Sequence, residues 1–237
     1  LLFIEAILLL ACLCMAVGYQ EDDVLAFIIT IILTTFTGIV LHFFGRHANN
    51  YMSRRDAYLV VTLSWIIFSL FGTFPFMISG YIPNFTDAYF ETMSGFTTTG
   101  ATIIDDVDKL PHGLLFWRSM TQWIGGLGIV FFTTAILPSF VGGSVKVFAA
   151  EATGPVTTRL HPRLSTNAKW IWVVYLVLTI SCILSYMICG MGWFDSINYA
   201  MGTTATGGFS THTDSAEFFR SPAVEYIATF FCFISGT

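Results

Sequence analysis

Met93-Ser94-Gly95-Phe96-Thr97-Thr98-Thr99-Gly100-Ala101-Thr102 is the stretch on which the fold turns. It continues Asp87-Ala88-Tyr89-Phe90-Glu91-Thr92, whose acidic start suits a helix N-terminus, so the segment predicts a short helix running into a Thr/Gly loop. The same plan returns as Asp195-Ser196-Ile197-Asn198-Tyr199-Ala200-Met201-Gly202, leading into Thr203-Thr204-Ala205-Thr206-Gly207-Gly208-Phe209-Ser210. Aligning Gly100 with Gly207 gives an internal repeat of about 107 residues and brings Asp87 and Asp195 within one position. A single copy reads most simply as a Thr/Gly-rich outer turn. Two copies in matching positions between long apolar runs are not explained that way.

The chain around these loops is apolar. Of 237 residues, 55% are hydrophobic and 11% charged, with a mean hydropathy of +0.73. A soluble domain carries about 25% charged residues, so the composition is that of a membrane protein. A net charge of -5 and a pI near 5.4 offer no basic face to a nucleic acid. The five cysteines all lie in apolar runs without metal-ligand spacing and read as small core or lipid-facing residues.

A helix needs about 20 apolar residues to cross a bilayer. Residues 1–19, apolar apart from Glu5, and residues 24–44 form a hairpin around Glu21-Asp22-Asp23. Further spans are expected at 57–80, with Pro75 near the far end, at 114–140 and at 170–189. A sixth starts at Pro222 and has about 15 residues to Thr237, so the sequence is expected to be a segment of a longer protein. The fold class that follows is an all-α polytopic membrane protein, a helical hairpin followed by tandem helix–pore loop–helix repeats. Its expected divisions are the hairpin at 1–50, a first repeat at 51–145, a connector at 146–168 and a second repeat at 169–237.

Arg46, Arg54, Arg55, Lys146, Arg159, Arg163 and Lys169 fall in two connectors on one side, which the positive-inside rule makes cytoplasmic. The other side collects Glu21, Asp22, Asp23, Asp87, Glu91, Asp105, Asp106, Asp108, Asp195, Asp214 and Glu217, an acidic mouth that attracts cations. Non-helical backbone at membrane depth must be buried in protein or line a watery path, where its carbonyls can replace the water shell of a cation. The preceding helix adds the partial negative charge of its C-terminal end. The residues expected to present carbonyls to a cation are Thr98, Thr99, Gly100 and Ala101, with Ala205, Thr206, Gly207 and Gly208; threonine hydroxyls could add a ligand at the inner end.

With these residues in place, the sequence resembles the Trk/Ktr/HKT superfamily of potassium transporters and, within it, the bacterial TrkH-type membrane subunit. The resemblance is carried by residues 93–102, by Gln122-Trp123-Ile124-Gly125-Gly126-Leu127-Gly128-Ile129-Val130 leading to Ala135-Ile136-Leu137-Pro138, by Ala150-Glu151-Ala152-Thr153-Gly154-Pro155 with Pro162-Arg163, and by residues 205–210. It implies four span–loop–span repeats around a pore, of which two are visible here, with residues 1–44 as the extra hairpin of the TrkH type. It also implies K+ as the transported ion, a potassium preference set by glycine at 100 and 207, and no bound organic cofactor. The implied setting is the bacterial inner membrane, as a homodimer above a cytosolic nucleotide-binding, TrkA-like regulatory subunit that the connectors, 150–169 above all, would contact.

Other features have competing readings. Gly125-Gly126-Leu127-Gly128 lies in an apolar span, follows no strand and reads as close helix packing rather than a nucleotide loop. Arg118 and Gln122, one turn apart, either brace the first loop against Glu91 or the 105–108 acids, or snorkel to the interface. Trp117, Trp123, Trp170, Trp172 and Trp193 read as interface anchors. The histidines are too scattered for a metal site, and the acids lack the facing geometry of an acid protease. A secondary solute transporter, or one carrying Na+, and a non-conducting structural subunit are the alternatives to potassium uptake.

Overall fold

The computed structural model describes residues 2–46, 54–128 and 164–236, and all regular structure among them is helical. Helices α1 (Leu2–Tyr19) and α2 (Val24–Gly45) form the expected hairpin. They are apolar on all sides, so one stripe of each packs inward while Ile7, Leu25, Ile32 and Phe36 remain more than 60% exposed, as lipid-facing residues would. Both helices are long and apolar enough to cross a membrane, as is 170–188. The turn between them is a left-handed stop. Gln20 takes φ 57°, with Gln20 N donating to Val17 O and Glu21 N to Ala16 O. Glu5 faces inward at 0% exposure, and neither carboxylate oxygen has a hydrogen-bond partner among the described residues.

The third expected span is broken. Helix α3 (Arg54–Gly72) stops and α4 (Phe74–Ile78) restarts around Pro75, which sits in the first turn of α4 where its missing N–H costs nothing. Gly80, at φ 83°, then reverses the chain into the short helix α5 (Phe85–Phe96), whose N-cap Asn84 side chain accepts from Thr86 N at 3.0 Å. A loop and a turn of 3-10 helix (Val107–Lys109) lead into α6, described over 112–128. Helix α7 (Leu164–Ile188) begins ahead of Trp170 and runs through the expected division at 168/169. Gly190, at φ 90°, reverses the chain into α8 (Trp193–Thr204), and after a second loop and 3-10 turn (Ser215–Phe219) comes α9 (Pro222–Ser235). The remainder of the fourth span beyond 128, the residues 129–163 that hold most of the second connector, and His47 lie outside the described residues.

Two cores result. Phe76, Phe96, Leu114 and Trp117 centre the one joining the hairpin, α3 to α6 and the first loop; Cys182, Tyr186, Ala200 and Val224 centre the one between α7, α8 and α9. Trp117 departs from the anchor reading. It is 0% exposed and its Nε1 donates to Gly72 O at 2.9 Å, because α3 and α5 cover this end of α6. Trp170 and Trp193, at 66% and 50% exposure, are placed as anchors would be. The free cysteines divide as expected, with Cys12 and Cys182 buried and Cys14 exposed.

Candidate functional site

Helices α5 and α8 have the same length and are offset by 108 residues. They also end alike. Thr98 N donates to Gly95 O and Thr99 N to Ser94 O; at the second site Thr206 N donates to Thr203 O and Gly207 N to Gly202 O. This is the bond pattern of a helix stopped by a left-handed residue, a place glycine usually fills. Here it is threonine in both copies, Thr98 at φ 53° and Thr206 at φ 52°. A β-branched residue in that region is strained by roughly 1–2 kcal/mol, a strain that the surrounding packing must hold in place.

The next left-handed residues are Gly100 (φ 76°) and Gly208 (φ 90°), again 108 apart. The sequence alignment of Gly100 with Gly207 is therefore one residue out. Gly208 is the backbone counterpart of Gly100, Gly207 is that of Thr99, and Asp87 coincides with Asp195. Gly207 has a different reason to be glycine, since a Cβ there would run into the Gln122 side chain. At Gly100 a Cβ would meet the carbonyl oxygen of Gly207. The two loops thus lie backbone against backbone at their glycines.

The carbonyls divide into two groups. That of Ala101 is engaged within the protein, accepting from Ser94 Oγ at 2.6 Å. Its counterpart at Phe209 lies 3.0 Å from where a Gly202 Cβ would stand, so it too is turned back toward its own short helix. Ala205 caps the last turn of α8 and corresponds to Thr97, not Thr98. The carbonyl oxygens of Thr98, Thr99, Gly100, Thr206, Gly207 and Gly208 accept no hydrogen bond from any described residue. Beside the loop bases is a cavity of about 540 Å³ lined by Thr98, Gly126, Tyr175, Thr204, Ala205 and Thr206.

Helix α6 is the spine between the loops. A Cβ on Gly125 would enter the Phe96 backbone at the base of the first loop, and one on Gly126 would come within 3.1 Å of Ala205 at the base of the second. This is the close packing expected of the glycine run. Arg118, 2% exposed, bonds Glu91 Oε1 through Nε at 2.8 Å and the Ser210 carbonyl through Nη1 at 3.0 Å. Gln122 Oε1 accepts from Phe209 N at 3.1 Å. The bracing reading of Arg118 therefore holds, and burial excludes snorkelling. Glu91 also accepts from Thr102 Oγ1 at 3.0 Å and from Ile103 N at 3.1 Å. At the equivalent place in the second copy Tyr199 does the same service, its hydroxyl 2.6 Å from Ser210 Oγ.

At the outer face the segments that leave the loops are stapled together. Asp108 accepts from Thr213 N at 3.1 Å and Thr213 Oγ1 at 2.8 Å, and lies 2.6 Å from His212 Nδ1. These bonds hold the Asp108 carboxyl down at a pKa of about 2, with His212 the largest cause. Asp195 accepts from Thr211 Oγ1 at 2.7 Å. Sequence reasoning passed over the contacts of His212 and Thr213, since nothing in their local patterns marks a contact across 100 residues. Among the described residues no group of His, Cys, Asp and Glu is arranged to hold a metal ion.

Apolar helices, with two short helices that stop inside the protein in loops whose carbonyls are unbonded among the described residues, are the features of a membrane transport protein. The more particular assignment comes from comparison with known proteins. A family model described as "TrkH: Cation transport protein" matches residues 24–237, and the chain belongs to that family. It is 41% identical over 213 residues to the Trk system potassium uptake protein TrkH of Halomonas elongata, covering 89% of this chain and 44% of the relative. With the protein of the same name from Escherichia coli K12 it shares 39% identity over 224 residues, 93% of this chain and 46% of the relative. The crystal structure of the potassium transporter TrkH from Vibrio parahaemolyticus superimposes with a TM-score of 0.85 at 35% sequence identity, over 100% of this chain and 47% of that one. The chain thus spans about half the length of the relatives it matches.

Proposed function

We propose that the protein takes up potassium through a filter of backbone carbonyls, to which this chain supplies two of four loops. The observation that carries the reading is the set of six unbonded carbonyls at Thr98, Thr99, Gly100, Thr206, Gly207 and Gly208, held in one conformation twice over by equivalent helix stops. Gly207 is buried, Thr98 and Gly100 are half-buried, and Thr99, Thr206 and Gly208 are exposed; carbonyls that line a narrow watery path can stand in for the water shell of a cation. Two short helices add the negative ends of their dipoles beneath the loops, and the acidic outer residues raise the local cation concentration. Relative to the eight residues expected from sequence, Ala101 and Ala205 leave the ligand set.

In this reading helices α3 to α6 and α7 to α9 are two repeats of the span–pore loop–span plan, with residues 2–45 as a preceding hairpin. The protein sits in the inner membrane with its basic connectors in the cytoplasm, pairs with a second copy, and is regulated by a cytosolic nucleotide-binding subunit docked on those connectors. The names of the relatives, potassium uptake proteins of the Trk system, support this assignment.

The test is isotope flux into liposomes holding the full-length protein, wild type beside Gly100→Ser. Rb+ uptake preferred over Na+, with the preference lost in the variant, is the expected result. Absence of Rb+ flux with the regulatory subunit present overturns the proposal in favour of solute transport or a structural role.

A further inference from the structure

We propose that Arg118 is a positioning residue that sets the spacing of the two loops and, through it, ion selectivity; the proposal rests on the reading of those loops as a potassium filter. One guanidinium reaches both. Its Nε donates to Glu91 Oε1 at 2.8 Å, its Nη2 to Thr102 Oγ1 at 3.3 Å, and its Nη1 to the Ser210 carbonyl at 3.0 Å. Thr102 and Ser210 each stand two residues beyond a left-handed glycine, Gly100 and Gly208, so the bridge spans equivalent points of the two strands. The Arg118 guanidinium also lies over the Phe209 ring, 4.2 Å from its centroid, and Gln122 one turn further along α6 fixes Phe209 N.

Arginine suits this place for a reason of shape. Its planar fork presents donors in fixed directions, so three bonds made at once define a distance between the partners; a lysine ammonium is a point charge and defines none. The pair is fully buried, with Glu91 at 1% and Arg118 at 2% exposure. Burying both charges consumes most of what their attraction returns, so such a pair is weak evidence for stability and is better explained by the geometry it imposes. A ring of carbonyls whose spacing is held can separate ions that differ in radius by a fraction of an ångström. The bridge from the first strand through Glu91 and Arg118 to the second strand is a direct mechanical restraint on that spacing.

The experiment compares full-length wild type, Arg118→Lys and Thr102→Val in liposomes, reading the ratio of Rb+ to Na+ flux and the apparent KM for Rb+. Arg118→Lys keeps the charge opposite Glu91 but loses the fork to Ser210, and the Rb+/Na+ ratio is expected to fall on the order of tenfold, with a smaller loss of maximal Rb+ flux. A merely structural role would reduce the amount of active protein, lowering both fluxes together and leaving the ratio and KM unchanged; that result overturns the proposal. Where Arg118→Lys does not yield folded protein, Thr102→Val decides, because it keeps the side-chain shape and removes only the hydroxyl that bonds Glu91 and Arg118 and accepts from Ile104 N. An unchanged ratio in Thr102→Val then overturns the proposal, and a lowered one supports it. Wild type that passes no Rb+ refutes the filter reading itself, an outcome distinct from selective wild type with unaltered variants.

Discussion

Alanine at Gly100 tests the loop geometry most sharply, because the structure separates two costs that usually come together. The residue sits at φ 76°, and a Cβ there would meet the Gly207 carbonyl oxygen of the neighbouring loop. The dihedral alone costs about 1–2 kcal/mol for a residue with a side chain. The collision adds to this, since the obstacle is backbone and relief requires one loop to move away from the other. Gly208 has φ 90° with nothing within 4 Å of its Cβ, and Gly80 has φ 83° with the same open surroundings. All three substitutions therefore share the dihedral strain, and only Gly100→Ala displaces a carbonyl across the loop interface. In liposome flux assays on the full-length protein, Gly80→Ala is expected to leave the Rb+/Na+ ratio at its wild-type value. Gly208→Ala lowers it by a few-fold, and Gly100→Ala lowers it by about tenfold or more, which is the effect of about 1.4 kcal/mol lost from the preferred ion. If Gly100→Ala retains the wild-type ratio while Gly208→Ala loses it, the backbone-against-backbone contact does not set the spacing and the reasoning fails.

Thr98→Gly removes a strained β-branched residue from a left-handed helix stop and is expected to raise the melting temperature of detergent-solubilised protein, a gain on the order of 1 kcal/mol, while reducing selectivity; an unchanged or lowered melting temperature would contradict the strain assigned to Thr98. Asp23, in the turn between α1 and α2, is buried, with no close hydrogen-bond partner for either oxygen among the described residues; burial followed by the nearby Glu21 raises its pKa to about 6, against the weaker opposing pull of the Asp23 and Leu114 backbone N–H groups. Its folded state favours the proton, so wild-type stability should rise as pH falls through about 6 towards the unfolded value near 4. Asp23→Asn should accordingly melt higher than wild type at pH 7.5, with the difference shrinking by pH 5. Asp108 carries the opposite sign: held at about 2, it contributes stability above the unfolded value near 4 that is lost as pH falls through about 2. Melting curves between pH 5 and 2 should therefore fall less steeply for Asp108→Asn, which starts lower, than for wild type.

Much of the fold was legible because a bilayer imposes its thickness on the sequence. Helices α1 and α2 end within a residue or two of where hydropathy stops, and α5 and α8 begin near the acids that favour a helix N-terminus. The break between α3 and α4 was signalled by Pro75. Trp117 was misread for a physical reason: its place in the sequence says that it lies near a span end, but only the folding of α3 and α5 over that end decides whether it meets lipid or protein.

The two loops were legible in position and off by one in register, and the error shows what they are built on. Gly207 and Gly208 are adjacent, so matching glycine to glycine leaves two alignments, and a run of threonines supports either. The structure chooses by backbone conformation. Thr98 pairs with Thr206 because both are left-handed, against the preference of their own side chains, and Gly100 pairs with Gly208 for the same reason. A helix stop that used glycine at 98 and 206 would be easier to recognise and less constrained. Threonine there holds the strand only because the packing around it is stiff, with Gly125 and Gly126 of α6 pressed under the two loops and Arg118 and Gln122 bonded above. The strain in the loops and the rigidity of α6 are therefore one feature. Enlarging Gly126, whose Cβ would stand 3.0 Å from the Tyr175 hydroxyl and 3.1 Å from Ala205, should push on the base of the second loop and disturb it with every residue of the loop itself unchanged.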